Sequence, residues 1–202
     1  MELAPVRGAA PVDEPASPTF VHRPWVLWAG VAWGFAEATL FFIVPDVLLT
    51  LVALYSLRRS IKLVAFILLG ALMGGTVMFY QGAKDPARAQ AMVLHVPFVS
   101  TAMFTKTHSG FERDGIWTLS KSPGNGIPYK VYCVQASRYA GWPAFIAMSA
   151  LARLERFAPF WLVAAVFGFA FRKRIKWRPW FPAATHACLW ILGYALYWSK
   201  IG

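Results

Sequence analysis

Residues 25–57 read WVLWAGVAWGFAEATLFFIVPDVLLTLVALYSL, an almost unbroken apolar run from Trp25 to Leu57 in which Glu37 and Asp46 are the only charged side chains. As one helix the run would measure about 50 Å at 1.5 Å per residue. That is too long for a single crossing of a hydrocarbon layer about 30 Å thick, and too short for two crossings and a turn. Pro45 offers a resolution, because it has no N–H to continue a helix and disfavours helix at the preceding Val44. The run therefore reads as two half-helices that meet at Pro45, dipping in and returning to the side they entered. Backbone broken at membrane depth is tolerated only inside protein or beside a watery cavity, so a re-entrant hairpin here predicts a cavity.

The rest of the chain fits the same solvent. Apolar residues make up 58% of the 202 and charged residues 14%, whereas soluble domains average nearer one half and one quarter. The apolar residues fall in blocks, the clearest being Ile61 to Tyr80, Trp142 to Phe171 and Phe181 to Trp198. Arg58, Arg59 and Lys62 flank the block at 61–80, whose Gly70, Ala71, Gly74 and Gly75 allow close helix packing. Residues 83–114 are more polar and read as a loop carrying interfacial amphipathic helix. From Gly115 to Gly141 a second interrupted segment follows. Its middle, SPGNGIP at 122–128, is dense in turn formers. The flanking stretches, 116–119 and 129–136, are too short to cross. A long helix interrupted around Arg153 to Pro159, a basic run at 172–178 and a last span complete the reading.

Hairpin plus span thus occurs twice. If each hairpin returns to its own side the two repeats are inverted, and the basic run lands on the side of Arg58, as the positive-inside rule asks. The expectation is an all-α polytopic membrane protein with two re-entrant hairpins, near 25–57 and 115–141, and about three to four transmembrane helices. Residues 1–24, with Pro5, Pro11, Pro15 and Pro18, read as a disordered tail ahead of a single membrane domain, 25–202.

The net charge of +11 lies between the apolar blocks. It suits anionic head groups rather than nucleic acid, which would need a solvated basic face with its own fold. Cys133 and Cys188 read as small buried hydrophobes. The tryptophans Trp25, Trp28, Trp33, Trp177, Trp180 and Trp198 read as interfacial belts. His22, His95, His108 and His186 lack metal-site spacing, and no phosphate loop, nucleophile elbow or paired-cysteine motif is present. The sequence predicts no enzyme and no cofactor.

Glu37 is the sharpest functional signal, since an acid at a helix centre costs about 2.5–3.5 kcal/mol to insert unless it is paired, protonated or wet. Asp46 lies nine positions on, at the opposite face of an unbroken helix. Either the break at Pro45 lets it share a cavity with Glu37, or it caps the second half-helix. Lys121 and Lys130 bracket the second break, where free amides and bases could hold a phosphate, or the two lysines snorkel to the interface. Arg138 reads more simply as a snorkelling residue. Arg153, Glu155 and Arg156 form either an ion-pair network or a charged helix end.

Several stretches together resemble the DedA superfamily, also called the SNARE-associated or VTT-domain family, and its short bacterial branch in particular. They are FAEATL at 35–40 with Pro45, Gly70 to Tyr80 with Gly82, Phe111 with Gly115, IPYK at 127–130, and Phe145 leading to Arg153 and Arg156-Phe157. The resemblance covers residues 35–157. It implies a multi-pass protein of the bacterial plasma membrane that moves undecaprenyl phosphate or phospholipid as flippase or scramblase, with proton coupling as an option. It also implies that Glu37 and, more loosely, Asp46 are the acids of the first hairpin, and that Lys130 is the base after the second Pro. Lys121 stands where the family often has arginine, so it offers a point charge rather than a fork. Arg138, Arg153 and Arg156 complete the candidate transport residues. The partners implied are lipids with anionic head groups, and a homo-oligomer is compatible with the sequence. A non-transporting membrane scaffold and a small-solute transporter of similar architecture are the competing readings.

Overall fold

In the computed structural model the helices follow the breaks in the sequence, and residues 18–171, 178 and 180–201 are described. Every regular element among them is helical. The first long helix, α1 (Pro24–Thr39), starts with proline at its first position, where the missing N–H is not needed. Residues 40–45 are non-helical, and α2 (Asp46–Tyr55) starts directly after Pro45. Ser56 is extended and its Oγ accepts from the Arg59 N–H, capping α3 (Leu57–Lys84). Asp85 caps α4 (Pro86–Leu94) in the same way. After α5 (Thr101–Asp114), Gly115 takes φ +56° and a 3-10 turn runs to Leu119. A loop at 120–128 leads to α6 (Tyr129–Ala136), and α7 (Trp142–Ala170) and α8 (Trp180–Ile201) complete the chain.

Most elements lie against α3, which is about 42 Å long at 1.5 Å per residue for its 28 residues. Its buried residues recur three or four apart, from Ser60 through Leu63, Ile67, Gly70, Gly74, Met78 and Gly82. Glycines let the neighbouring backbones approach. A side chain at Gly34 would meet the Ile67 carbonyl, one at Gly70 the Val31 carbonyl, and one at Gly82 the Val134 carbonyl. These contacts also give the directions. Gly34 lies on Ile67 and Ala71 while Phe35 and Ala38 lie on Gly74, so α1 runs parallel to α3; α2 then returns towards the start of α3. Tyr129 meets Gly75 and Val134 meets Gly82, so α6 also runs parallel to α3, along its second half. Phe145 stacks on Phe79 at 4.7 Å, and Trp161 Nε1 donates to Ser60 Oγ at 2.9 Å, so α7 runs back antiparallel. The two helix–break–helix units thus approach from opposite ends of α3.

Two apolar cores result. Val21, Leu49, Val52, Leu63, Ile67 and Phe157 form one towards the start of α3. Met78, Phe79, Phe111, Tyr129, Tyr132 and Phe145, with their neighbours, form the other towards its end. The buried Arg153 lies between them, against Tyr129 of one and Phe157 of the other.

Some expectations need correction. The span read as Ile61 to Tyr80 extends to Leu57–Lys84, because Ser56 supplies a cap and the flanking bases join the helix. The helix expected to be interrupted near Arg153 to Pro159 is continuous, with Pro159 inside it. Of the supposed tail, residues 1–17 lie outside the described residues. Thr19–His22 is a packed 3-10 turn with Val21 fully buried, and Arg59 Nη2 donates to the His22 and Arg23 carbonyls. The basic run at 172–178 lies outside the described residues apart from Arg178. Cys133 is buried as expected but Cys188 is exposed. Among the described residues, Leu57–Lys84 is the one helix long and apolar enough to cross a membrane by length and composition. Any 18-residue stretch of α7 contains Arg153, Glu155 and Arg156, and α8 is rich in Trp and Tyr.

Candidate functional site

Glu37 belongs to the buried stripe of α1, with Val26, Gly30 and Gly34, and is pressed towards α3 near the helix end. Arg153 belongs to the buried stripe of α7 and arrives from the opposite direction. The Arg153 guanidinium donates to the Glu37 carboxylate, forming an ion pair whose two side chains are only 3% and 5% exposed. The guanidinium also lies over Tyr129 at 4.6 Å and Phe157 at 5.3 Å, one ring from each core, so cation–π contact replaces part of its lost hydration. Three residues on, Arg156 Nε and Nη2 both donate to Asp46 Oδ2, each at 3.3 Å. Asp46 sits in the first turn of α2 without capping it through its side chain.

Lys130, in the first turn of α6, reaches across to the first break and donates to the Phe41 carbonyl at 3.0 Å. The two breaks therefore meet. Other side chains satisfy the rest of the first break: Trp33 Nε1 donates to the Ile43 carbonyl at 2.9 Å, and the Tyr194 hydroxyl accepts from the Val44 N–H at 3.0 Å. Helix α8 is tied to α2 by two further polar contacts, Thr50 Oγ1 with His186 Nε2 at 2.8 Å and Trp190 Nε1 donating to Thr50 Oγ1 at 3.2 Å.

Beside this centre lies a cavity of about 710 Å³. Glu37, Lys130, Glu155 and Arg156 supply its charged side, and Phe42, Phe98, Ile127, Phe160 and Trp190 are among its apolar walls. The volume falls in the range of small-molecule and cofactor sites, roughly 300–1,000 Å³. Charges at one wall and rings at the others suit an amphiphile. The ion pairs are incompletely satisfied: Asp46 Oδ1 and Arg153 Nε are buried without a hydrogen-bond partner. Buried polar atoms elsewhere, Arg59 Nε and Thr107 Oγ1 among them, share that state, so it does not single out the cavity. Among the described residues, no group of three or more His, Cys, Asp or Glu side chains gathers as a metal site would require.

Five of the seven expected residues therefore converge: Glu37, Asp46, Lys130, Arg153 and Arg156. Lys121 does not. It is 57% exposed and pairs with Asp114 at 2.6 Å, because the 3-10 turn brings the two together. Nor does Arg138, which is exposed and borders a separate pocket of about 270 Å³ with Gln90, His108 and Gln135. Sequence reasoning named Glu155 beside Arg153 and Arg156 but not among the transport residues, left out Trp190 and Tyr194, and misread Trp33 as an interfacial residue. An acid inside an apolar block was a usable signal for Glu155. Nothing local announces that Tyr194 would reach a break 150 residues earlier.

No protein-family model matches the chain, and no solved structure matches it. A protein of Haemophilus influenzae, described only as uncharacterized, is 26% identical over 157 residues, which cover 77% of this chain and 80% of the relative.

Proposed function

We propose that the chain is a polytopic membrane protein of the DedA type that moves phosphorylated lipids across the bacterial plasma membrane. The observation that carries this reading is the meeting of two helix breaks at a charged cavity with apolar walls. A phosphate entering beside Lys130 and Arg156 would compete with Asp46 and the Phe41 carbonyl for the same donors, and partner exchange of that kind lets a head group cross a layer that is otherwise apolar.

The membrane setting rests on surface chemistry. Phe160, Leu162, Val163, Val166, Phe167 and Phe169 of α7, Leu189, Ile191, Leu192 and Leu196 of α8, and Leu69, Met73 and Val77 of α3 are all exposed. Apolar surface on that scale marks a lipid or protein contact. In a bilayer crossed by α3, the first unit would be a re-entrant hairpin, since Ala38, next to the end of α1, lies at Gly74, about 15 Å short of the far end of α3. The second unit would enter from the other side, making an inverted repeat of the kind found in transporters.

The test is translocation of a fluorescent phospholipid or undecaprenyl-phosphate analogue in proteoliposomes. Movement that requires the protein and is lost in Glu37→Gln and Lys130→Ala supports the proposal. Parental rates in both normally inserted variants would end it. The completeness of the Glu37–Arg153 burial favours a second reading, a non-transporting scaffold. On that reading Glu37→Gln lowers the melting temperature, and the wild-type protein moves no lipid.

A further inference from the structure

The charges that line the cavity do not all cancel within the protein. Glu37 is matched by Arg153 and Asp46 by Arg156. That leaves Glu155 and Lys130, which hydrogen-bonds the neutral carbonyl of Phe41 and has the already paired Glu37 as its charged neighbour. Among the described residues Glu155 makes no ion pair, and its side chain is exposed at the cavity wall rather than buried in a core. Helix geometry explains the placement. Glu155 lies two residues, about 200°, from the inward-facing Arg153, and one residue, about 100°, from Arg156. It is therefore turned away from the buried pair towards the mouth. Pro159 follows four residues later and also borders the cavity. Having no N–H, it cannot donate to the Glu155 carbonyl, the bond that any other residue in that position would make. A carboxylate without an ion-pair partner and a main-chain carbonyl without its usual i+4 donor thus belong to one residue, on a cavity that also holds the ammonium of Lys130.

We infer that Glu155 is a specificity-determining residue that selects head groups carrying a cationic amine beside the phosphate. The phosphate lies towards Lys130 and Arg156, and the ammonium donates to the Glu155 carboxylate and carbonyl. A head group bearing phosphate alone meets the Glu155 carboxylate as a like charge and is disfavoured. This inference rests on the cavity being a lipid head-group site, and it concerns which head group, not whether lipid moves.

Binding and movement are therefore measured separately. The purified full chain in detergent is titrated with dioleoyl phosphatidylethanolamine, which carries phosphate and amine, and with dioleoyl phosphatidic acid, which carries phosphate alone. Binding is followed by native mass spectrometry for wild type, Glu155→Gln and Glu155→Asp. Wild type is expected to prefer the ethanolamine lipid. Glu155→Gln should weaken that lipid by roughly two- to fivefold and tighten phosphatidic acid, with Glu155→Asp keeping the wild-type order. An equal effect of Glu155→Gln on both lipids, or none on either, overturns the inference. Because Glu155 is exposed, an unchanged melting temperature without added lipid shows that the variant is folded. The translocation assay then separates the two claims: selectivity that follows Glu155 without lipid movement sinks the transport reading alone, and lipid movement with head-group preference indifferent to Glu155 sinks this inference alone.

Discussion

The break at residues 40–45 depends in part on distant elements for its hydrogen bonds, whereas the break at 120–128 finds its partners nearby. In the first, Trp33 of α1, Lys130 of α6 and Tyr194 of α8 each hold one backbone group. In the second, Asn125 alone donates to the Lys121 carbonyl and the Tyr132 hydroxyl and accepts from the Ile127 N–H, while Gly124 and Gly126 take φ values of +82° and +77°. Such left-handed backbone is open to glycine at no steric cost. One break is held by tertiary structure and the other by its own sequence. The context-dependent one lies beside the buried pair Glu37–Arg153, so it should be the more fragile.

The largest effect should follow from breaking that pair on one side. Arg153→Ala leaves Glu37 buried without a counter-charge and removes the cation over Tyr129 and Phe157, at an expected cost of about 3–5 kcal/mol. Thermal unfolding in detergent would read it as a loss of folded protein or a sharply lower melting temperature. Combining it with Glu37→Gln should recover a good part of the loss, since the uncompensated charge goes. If the double variant is no better than Arg153→Ala alone, the damage is a packing cavity rather than an orphaned carboxylate.

Next come the two glycines that seat the units on α3. Gly70→Ala drives a methyl group into the Val31 carbonyl, and Gly82→Ala drives one into the Val134 carbonyl. Each forces backbone to move, at about 1–3 kcal/mol. The comparison separates them by reach. Gly70→Ala shifts α1 and so disturbs Glu37 and the clasped break, lowering both stability and lipid movement. Gly82→Ala should lower stability while hydrogen exchange at 120–128 stays as in wild type, because that loop carries its own bonds. Exchange accelerating equally in both breaks would erase the distinction.

Tyr194→Phe and Asn125→Ala test the clasps themselves. The first leaves the Val44 N–H without its acceptor, at about 1–3 kcal/mol if that group stays dry. It should speed hydrogen exchange at Val44 and loosen α8, far away in sequence. Asn125→Ala, at about 1–2 kcal/mol, should speed exchange only within the second loop and at neighbouring residues. A long-range response to Asn125→Ala would mean that the second break, too, depends on its surroundings.

The same contrast explains what the sequence could disclose. SPGNGIP names its own turns, and Pro45 names its own interruption, so both breaks and the helices around them were readable locally. The unusual Glu37 was readable because nothing else charged precedes Val44 in that run. Its partner was not, since Arg153 stands 116 residues away and the match depends on α1 and α7 running against α3 in opposite directions. Trp33 was misread because an aromatic near a span end is more often interfacial, and only the folded-back break puts the Ile43 carbonyl within its reach. Lys121 was misplaced for a more local reason: the 3-10 turn after Gly115 shortens the distance to Asp114, and the lysine closes on that acid instead of the cavity.

That surface pair supplies the smallest expected effect, and it sets Lys121 against Lys130. Hydrogen bonds from Lys121 and then from Arg113 hold the Asp114 carboxyl below its ordinary value of 3.8. A depressed carboxylate contributes its stability fully above the unfolded value and loses it as pH falls through the folded one. The melting-temperature difference between wild type and Lys121→Ala should therefore be small near neutrality, shrink below about pH 4, and fade with added salt, because the site is solvated. Lipid movement should be untouched by Lys121→Ala and lost in Lys130→Ala, although the two lysines bracket the same loop. If Lys121→Ala also stops movement while the melting curve is unchanged, the loop must carry Lys121 into the cavity during turnover, and the second break is then less self-contained than its hydrogen bonds suggest.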